Sequence, residues 1–470
     1  MSYLWQTLPP HFQFWLSLLW VAYLVVLAGW IVLQKREPIA TLSWLLSLAL
    51  LPLVGLVIYH FFGPQRIRRQ RLKRLRSRAR LDARTAPELC DDDCSGLMRL
   101  AQASSSYPPT SAECVQLLVD GSATYESLLQ AIAGARRHVH LEYYIFDADR
   151  TGTRIRDALI ERAAAGVEVR LLMDAVGSAY TYESFLAPLR AAGAEVAFFH
   201  RFRVRRLWRP KLNLRSHRKI VVVDGRIGFT GGINISDEQD ESLRADAFHD
   251  LHLRMEGEAV RWLQLAFMED WVYANAHTPK STGLWPDLVA GPIRAQVLPA
   301  GPDSPWETIH RTMLSAIYGA QQCVWLSTPY FVPGEAARIA LTSAALRGVD
   351  VRVVVPARSD SRLVTAAARS YFDELQSAGA RVYEFPRMLH TKALLVDERI
   401  AILGSSNFDN RSFRLNFELC VLFEDAGVAA DLRRIMTCDL DMAEEVAMPR
   451  PLGLPQRLVE AGARLLSPLL

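Results

Sequence analysis

The sequence predicts an α/β protein, a tandem pair of α/β/α sandwich units around one shared site, preceded by an N-terminal hairpin of two membrane-spanning helices. Three observations carry that expectation. Two long apolar runs open the chain, strand-like and helix-like segments alternate after residue 113, and one nineteen-residue segment occurs twice.

Half of the 470 residues are apolar and 22% are charged, giving a slightly positive mean hydropathy of +0.07. The excess lies at the start. Residues 12–33 are broken only by Gln13 and Ser17 among polar side chains, and residues 39–62 form a second run containing Pro52 and Gly55. About 20 apolar residues cross a bilayer, so each run is long enough to span. No Lys or Arg precedes the first run and a second follows at once, which favours a hairpin over a cleaved leader. Proline in the second run suits a membrane helix better than a soluble core helix. Nine of the fifteen residues 66–80 are basic. That flank places the larger part in the cytoplasm, against a weak opposite pull from Lys35 and Arg36. The same run can hold an anionic leaflet as well as serve as a stop-transfer flank. The expected units are a hairpin (1–65), a basic juxtamembrane segment and polar linker (66–112), and two α/β domains (113–280 and 281–470), the second with an amphipathic tail.

In the first domain, residues 138–147 read as a strand, 153–165 as a helix, 166–174 as a buried strand and 183–192 as a helix. "GVDVRVVVP" at 348–356 repeats "GVEVRLLMD" at an offset of 182, and "LHTKALLVDERIAILGSSN" at 389–407 repeats "SHRKIVVVDGRIGFTGGIN" at an offset of 173. The nineteen-residue pair shares His, Lys, Val, Asp, Arg, Ile, Gly and Asn at matching places. This is one α/β unit duplicated. A lone His-x-Lys on a strand reads most simply as a satisfied core histidine. A polar set repeated on buried strands is costly unless it is satisfied or used.

If the halves pack about a pseudo-two-fold axis, His217 and His390 face one cleft lined by Lys219, Lys392, Asn234 and Asn407. Two lysines and two amides suit a phosphate. Two imidazoles supply a nucleophile and a general acid/base near neutral pH. The lysines disfavour a metal there. His249 and His252, in "HDLH", remain an alternative zinc pair. The six cysteines, at 90, 94, 114, 323, 420 and 438, are expected as reduced thiols. Cys90 and Cys94 lack a second pair with which to complete a zinc site. No phosphate loop or dinucleotide fingerprint occurs, so no cofactor is expected.

These motifs resemble those of the phospholipase D superfamily, whose mark is His-x-Lys-x4-Asp followed by Gly-Ser/Gly-x-Asn, twice per site. Both copies match: His217, Lys219, Asp224, Gly231 and Asn234, then His390, Lys392, Asp397, Gly404, Ser405 and Asn407. The stretches "TGGIN", "STPYFVPGE" and "LGSSNFDNRSFRLNFE", with the hairpin start and the "RLLSPLL" ending, look like the bacterial cardiolipin synthases of the two-span type. The resemblance covers essentially the whole chain. It implies a multi-pass enzyme of the bacterial inner membrane, joining two phosphatidylglycerols into cardiolipin and glycerol, with no nucleic acid partner. It further implies that His217 attacks the phosphodiester and that His390 moves the protons, while Lys219, Lys392, Asn234 and Asn407 hold phosphoryl oxygens. An acid downstream of each Asn orients a histidine, for which Asp250 and Glu418 are the candidates. Asp224 and Asp397 belong to the catalytic motif, yet they lie an odd step from their histidines, so a structural role comes first. Gly232, standing where the second copy has Ser405, leaves the first half one hydroxyl short.

A hydrolase or nuclease using the same histidines is the competing enzymatic reading, and an inactive lipid-binding scaffold is a third. The Arg/Lys-rich stretch 200–215 reads either as an anionic-headgroup grip or as a solvated basic face. The apolar side chains of 455–470 fit an interfacial helix or one packed on the second domain.

Overall fold

A computed structural model describes residues 9–33, 94–199, 215–275, 283–304 and 306–467, with four isolated positions between 42 and 48. The N-terminal element is a 24-residue helix, Pro10–Leu33, which is long enough to cross a membrane and has a mean hydropathy of 2.4 over its most apolar 18 residues. Its Phe14, Trp15 and Leu19 side chains are exposed. The second apolar run, the basic run 66–80 and the stretch 200–214 lie outside the described residues.

The α/β body opens with a short strand, β1 (Thr110–Ala112). The first sheet contains β2 (Cys114–Val119), β3 (His138–Tyr143), β4 (Glu168–Asp174), β5 (Glu195–Phe199), β6 (Ile220–Val223), β7 (Ile227–Gly231) and β8 (Leu251–Glu256). The second contains β9 (Ile293–Ala300), β10 (Cys323–Ser327), β12 (Asp350–Pro356), β13 (Arg381–Phe385), β14 (Ala393–Val396), β15 (Ile400–Gly404) and β17 (Glu418–Glu424). The short β11 (Phe331–Val332) and β16 (Phe408–Asp409) pair separately, and β18 (Glu444–Glu445) lies at one sheet edge. The first sheet runs β2-β8-β7-β6-β3-β4-β5, and the second runs β9-β17-β15-β14-β10-β12-β13 between the added edges β1 and β18. Position by position the orders are the same, so the duplication extends to topology. In both, the three strands joined through helices are parallel and the hairpin strands antiparallel.

Both faces of each sheet are covered. Ile220 and Val222 of β6 and Ala393 and Leu395 of β14 enter one central core shared by the two sheets. Val221 and Val223 face the outer helices of the first half, and Leu394 and Val396 those of the second. Two-sided burial accounts for the unbroken apolar runs after each His-x-Lys. The helices that follow the last strand of each half, Ala259–Asn275 and Ala426–Met442, fill the central layer.

Two expectations change. The supposed linker contains a helix, Gly96–Ser105, capped by the Ser95 hydroxyl, with Met98 and Ala101 in the second half's core. Apolar residues three apart in a polar context were its only signal. β1 then pairs with β9 before the chain enters the first sheet, so the α/β body does not divide near residue 112. Cys94 is disulfide-bonded, whereas Cys114, Cys323, Cys420 and Cys438 are free thiols. The expectation of six thiols rested on compartment, not geometry. The tail forms a helix, Leu454–Leu465, that buries Glu460 and Ala463 while exposing Leu454, Leu458, Val459 and Leu465.

Candidate active site

His217 and His390 precede β6 and β14, beside the carboxyl ends of β3 and β10. Open α/β sheets bind ligands at that end. Each histidine is stitched to the opposite half through its backbone. The His217 N–H donates to the Phe417 carbonyl at 2.8 Å, and the Phe417 N–H donates to the Arg215 carbonyl at 2.8 Å. In the mirrored place, the His390 N–H donates to the His249 carbonyl at 2.6 Å, and the His249 N–H to the Met388 carbonyl at 2.9 Å. Phe417 and His249 are the residues just ahead of Glu418 and Asp250. The acids are thereby exchanged between halves. His390 Nδ1 lies 2.6 Å from Asp250 Oδ2, and His217 Nδ1 stands 3.4 Å from Glu418 Oε1. Neither Nε2 has a hydrogen-bond partner among the described residues, so both are open to a substrate.

Alternation directs the neighbours. Arg218 points into the central layer, where its guanidinium pairs with Asp270 at 2.5 Å and donates to the Glu418 and Ala300 carbonyls. His217 and Lys219 take the other direction. Lys219 and Lys392 are buried, and each ammonium donates to the carbonyl of the histidine two residues before it. Burial pushes Lys219 down to about 8 and Lys392 to about 7, against the pull of Asp250 and Glu418. Burial and then the lysines hold His217 well below the usual histidine range, and His390 is pushed to about 4 in spite of Asp250.

The two acids differ. Burial works to raise the Asp250 carboxyl, but Lys392, His390 and the Leu251 amide hold it below the ordinary carboxylate range. Glu418 is pushed up to about 7 by burial, with Lys219 and Ser405 opposing. The Ser405 hydroxyl donates to Glu418 Oε2 at 2.6 Å, so it supports the acid and is not free for a phosphate oxygen. Opposite it, a Cβ on Gly232 would lie 2.2 Å from Asp250 Oδ1. The missing side chain therefore makes room for the shorter acid's carboxylate. Glycine with aspartate in one half matches serine with glutamate in the other.

Asn234 and Asn407 are buried. Asn234 Oδ1 accepts the Ile145 N–H at 3.2 Å, while Asn407 Oδ1 has no hydrogen-bond partner among the described residues. Asp224 and Asp397 are not brought to the histidines. Each follows the far end of its strand at φ +53°. The Asp224 carboxylate accepts the N–H groups of Arg136, Arg137 and His138, and Asp397 those of Gln321, Gln322 and Cys323. Membership of the shared motif had put them in the catalytic set, but their carboxylates tie down the loops that enter β3 and β10.

Three residues escaped the sequence reading. Tyr144 packs its ring on His217, with centroids 4.2 Å apart. Gln239 reaches from the Asn234 amide, at 2.5 Å, toward His390 Nδ1, at 3.4 Å. Asp120 accepts the Asp250 N–H at 3.0 Å. None belongs to a repeated motif. His249 is committed to two carboxylates, Asp120 and Asp439, which displaces the zinc alternative for "HDLH".

Residues 128–271 and 313–440, more than half of the chain, match the family described as cardiolipin synthase, PLD-like domain. A cardiolipin synthase of Alkalihalophilus pseudofirmus is 39% identical over 93% of this chain and 90% of its own length. One of a Geobacillus species is 38% identical over 97% of this chain and 94% of its own. Among solved structures, phosphatidylserine synthase of Haemophilus influenzae has the same fold, with a TM-score of 0.61 at 13% identity, over 80% of this chain and all of that one. On the duplicated topology, the paired histidine motifs and these full-length likenesses together, the chain belongs to the cardiolipin synthase family of the phospholipase D superfamily.

Proposed function

We propose that the chain is a membrane-anchored phosphatidyltransferase that condenses two phosphatidylglycerols into cardiolipin and glycerol through a phosphatidyl-histidine. The observation that carries the mechanism is the pair of histidines, each with an acid from the other half beside Nδ1, at 2.6 Å for His390 and 3.4 Å for His217, and with Nε2 unengaged among the described residues. His217, kept unprotonated by burial and two lysines, attacks phosphorus with its Nε2 lone pair. The P–O bond to the glycerol headgroup breaks, and His390 gives that oxygen its proton. His390 then takes the proton of the incoming headgroup hydroxyl, whose oxygen displaces His217 from phosphorus. One phosphodiester replaces another, so no external energy source is required.

The inequality of the acids supports this division of labour. An ionised Asp250 at 2.6 Å stabilises an imidazolium on His390. Glu418, more distant and easier to protonate, does less for a positive charge on His217. The substrate's negative charge raises the His390 pKa from its empty-site value and readies it as an acid. Lys219, Lys392 and Asn407 are the groups suited to the phosphoryl oxygens.

Residues 113–280 form one functional half of the site, and residues 281–470, joined by the helix Gly96–Ser105 and β1, form the other. The Pro10–Leu33 helix and the apolar run 39–62 act as a two-span anchor in the bacterial inner membrane, with the catalytic body in the cytoplasm. The Leu454–Leu465 helix lays its exposed leucines on the same surface.

Labelled phosphatidylglycerol given to the purified chain should yield cardiolipin and glycerol. Phosphatidic acid without cardiolipin would establish the hydrolase instead. An acid-labile lipid adduct should be trapped on the wild type and absent from His217→Ala. An adduct surviving in that variant moves the nucleophile to His390.

A further inference from the structure

His249 stands immediately before Asp250, and its ring is nearly closed off from solvent. Nε2 hydrogen-bonds Asp439 Oδ1 at 2.8 Å, and Nδ1 lies 2.8 Å from Asp120 Oδ1. Its face stacks on Phe385 at 5.0 Å. A neutral imidazole carries one N–H, whereas an imidazolium serves both carboxylates. Asp120 begins the helix Asp120–Ala133 of the first half, and Asp439 lies near the end of Ala426–Met442 in the second.

The backbone around this ring sets the acid pair. His249 exchanges hydrogen bonds with the segment carrying His390, through Met388 on one side and the His390 N–H on the other. Asp120 brackets the next residue: its Oδ1 accepts the Asp250 N–H at 3.0 Å, and its own N–H donates to the Asp250 carbonyl at 2.9 Å. One carboxylate oxygen thus faces both the His249 ring and the Asp250 amide. In the equivalent place beside His217 the side chain is an uncharged phenylalanine, Phe417, over whose ring the Arg218 guanidinium lies at 5.9 Å. There Phe417 makes the same backbone bonds, with its ring 5.1 Å from Phe199 and 6.1 Å from Tyr273. One histidine is seated by an ionic clasp, the other by an aromatic one.

We propose that the His249 imidazolium, clamped between Asp120 and Asp439, is a positioning residue that holds Asp250 on His390 and so sets proton transfer at the glycerol oxygen. The inference rests on His390 being the acid and base, and it predicts an effect confined to steps that need a proton. The pKa of His249, raised to about 10 by the two aspartates against burial, agrees with a cation throughout the working range.

The test compares two donors with the full-length protein in detergent micelles: phosphatidylglycerol, and phosphatidyl-p-nitrophenol, whose leaving anion needs no proton. His249→Gln should slow condensation of phosphatidylglycerol about 100-fold while the burst of p-nitrophenolate stays within about threefold of wild type. Asp439→Asn, carrying the test if His249→Gln fails to fold, should give the same selectivity with a smaller loss. Equal slowing of both donors in the folded variants, or unchanged condensation, overturns the proposal. His390→Ala separates the two layers of the argument. A burst retained there and lost in His249→Gln overturns the positioning role alone, whereas a burst lost in His390→Ala removes the acid role and the His249 proposal with it.

Discussion

Asp250 and His390 belong to opposite halves of the duplicated chain, yet their side chains meet at 2.6 Å. Substituting Asn for Asp250 keeps the shape and removes the charge that supports an imidazolium. Turnover should fall about 100-fold or more, the range expected for losing general acid–base assistance. Glu418→Gln should cost distinctly less, since Glu418 stands 3.4 Å from His217. Side-by-side kcat measurements check the order, and a larger loss at Glu418 would reverse the assignment of nucleophile and acid.

Gly232 should tolerate no side chain. A Cβ there would lie 2.2 Å from one Asp250 oxygen and 2.6 Å from the other. Gly232→Ser, although it copies the second half, should therefore push Asp250 off His390 and lower kcat. Combining it with Asp250→Glu builds the other half's Ser-Glu arrangement and should recover activity over either single variant. Equal activity of Gly232→Ser and wild type refutes the reading.

Asp224→Ala and Asp397→Ala should injure the fold more than the chemistry. Each removes an acceptor for three backbone N–H groups, two of them exposed in each half, and such a hydrogen bond contributes roughly 0.5–1.5 kcal/mol net. Alanine also fits the left-handed φ of +53° poorly. The expected result is a lower Tm, with kcat per folded molecule close to wild type. Loss of kcat at unchanged Tm returns these aspartates to the catalytic set.

The clasp at His249 makes a separate prediction about stability and pH. Its folded pKa, about 10, lies above the unfolded value near 6.5. A raised basic pKa gives stability that is complete below pH 6.5 and lost as the pH rises through 10. The gap in Tm between wild type and His249→Gln should be widest near pH 6 and close toward pH 10. A gap that widens with pH contradicts the ion triad. Activity should fall at the alkaline side independently, because Lys392 and Lys219, near 7 and 8 in the empty site, lose their charge there. The measurement is kcat/KM, which reports the free enzyme.

Much of this was readable from residues alone. The two offsets, 173 and 182, found the repeat, and the unbroken Val-rich runs found the two-sided sheets. Asp250 and Glu418 became candidates only through the resemblance, which implies an acid downstream of each motif asparagine. The exchange was not readable, because nothing along one strand says which half a side chain will meet. Ser405 stands among the motif residues as either a phosphate-binding or a supporting group, and only its 2.6 Å bond to Glu418 points to the supporting role. Asp120 and Asp439 were invisible for the same reason, being single acids made significant by a partner about 130 or 190 residues away.

The crossed backbone bonds at His217 and His390 also bear on how the protein is made. A chain that has left the ribosome only as far as Asn275 holds His217 without Glu418, and Asp250 without His390. Both reactive centres are then incomplete, and β1 waits for β9. An enzyme that acts on phospholipids has neither histidine–acid pair while only its first half is made, and the second pair closes only when Glu418, at the start of β17, is in place.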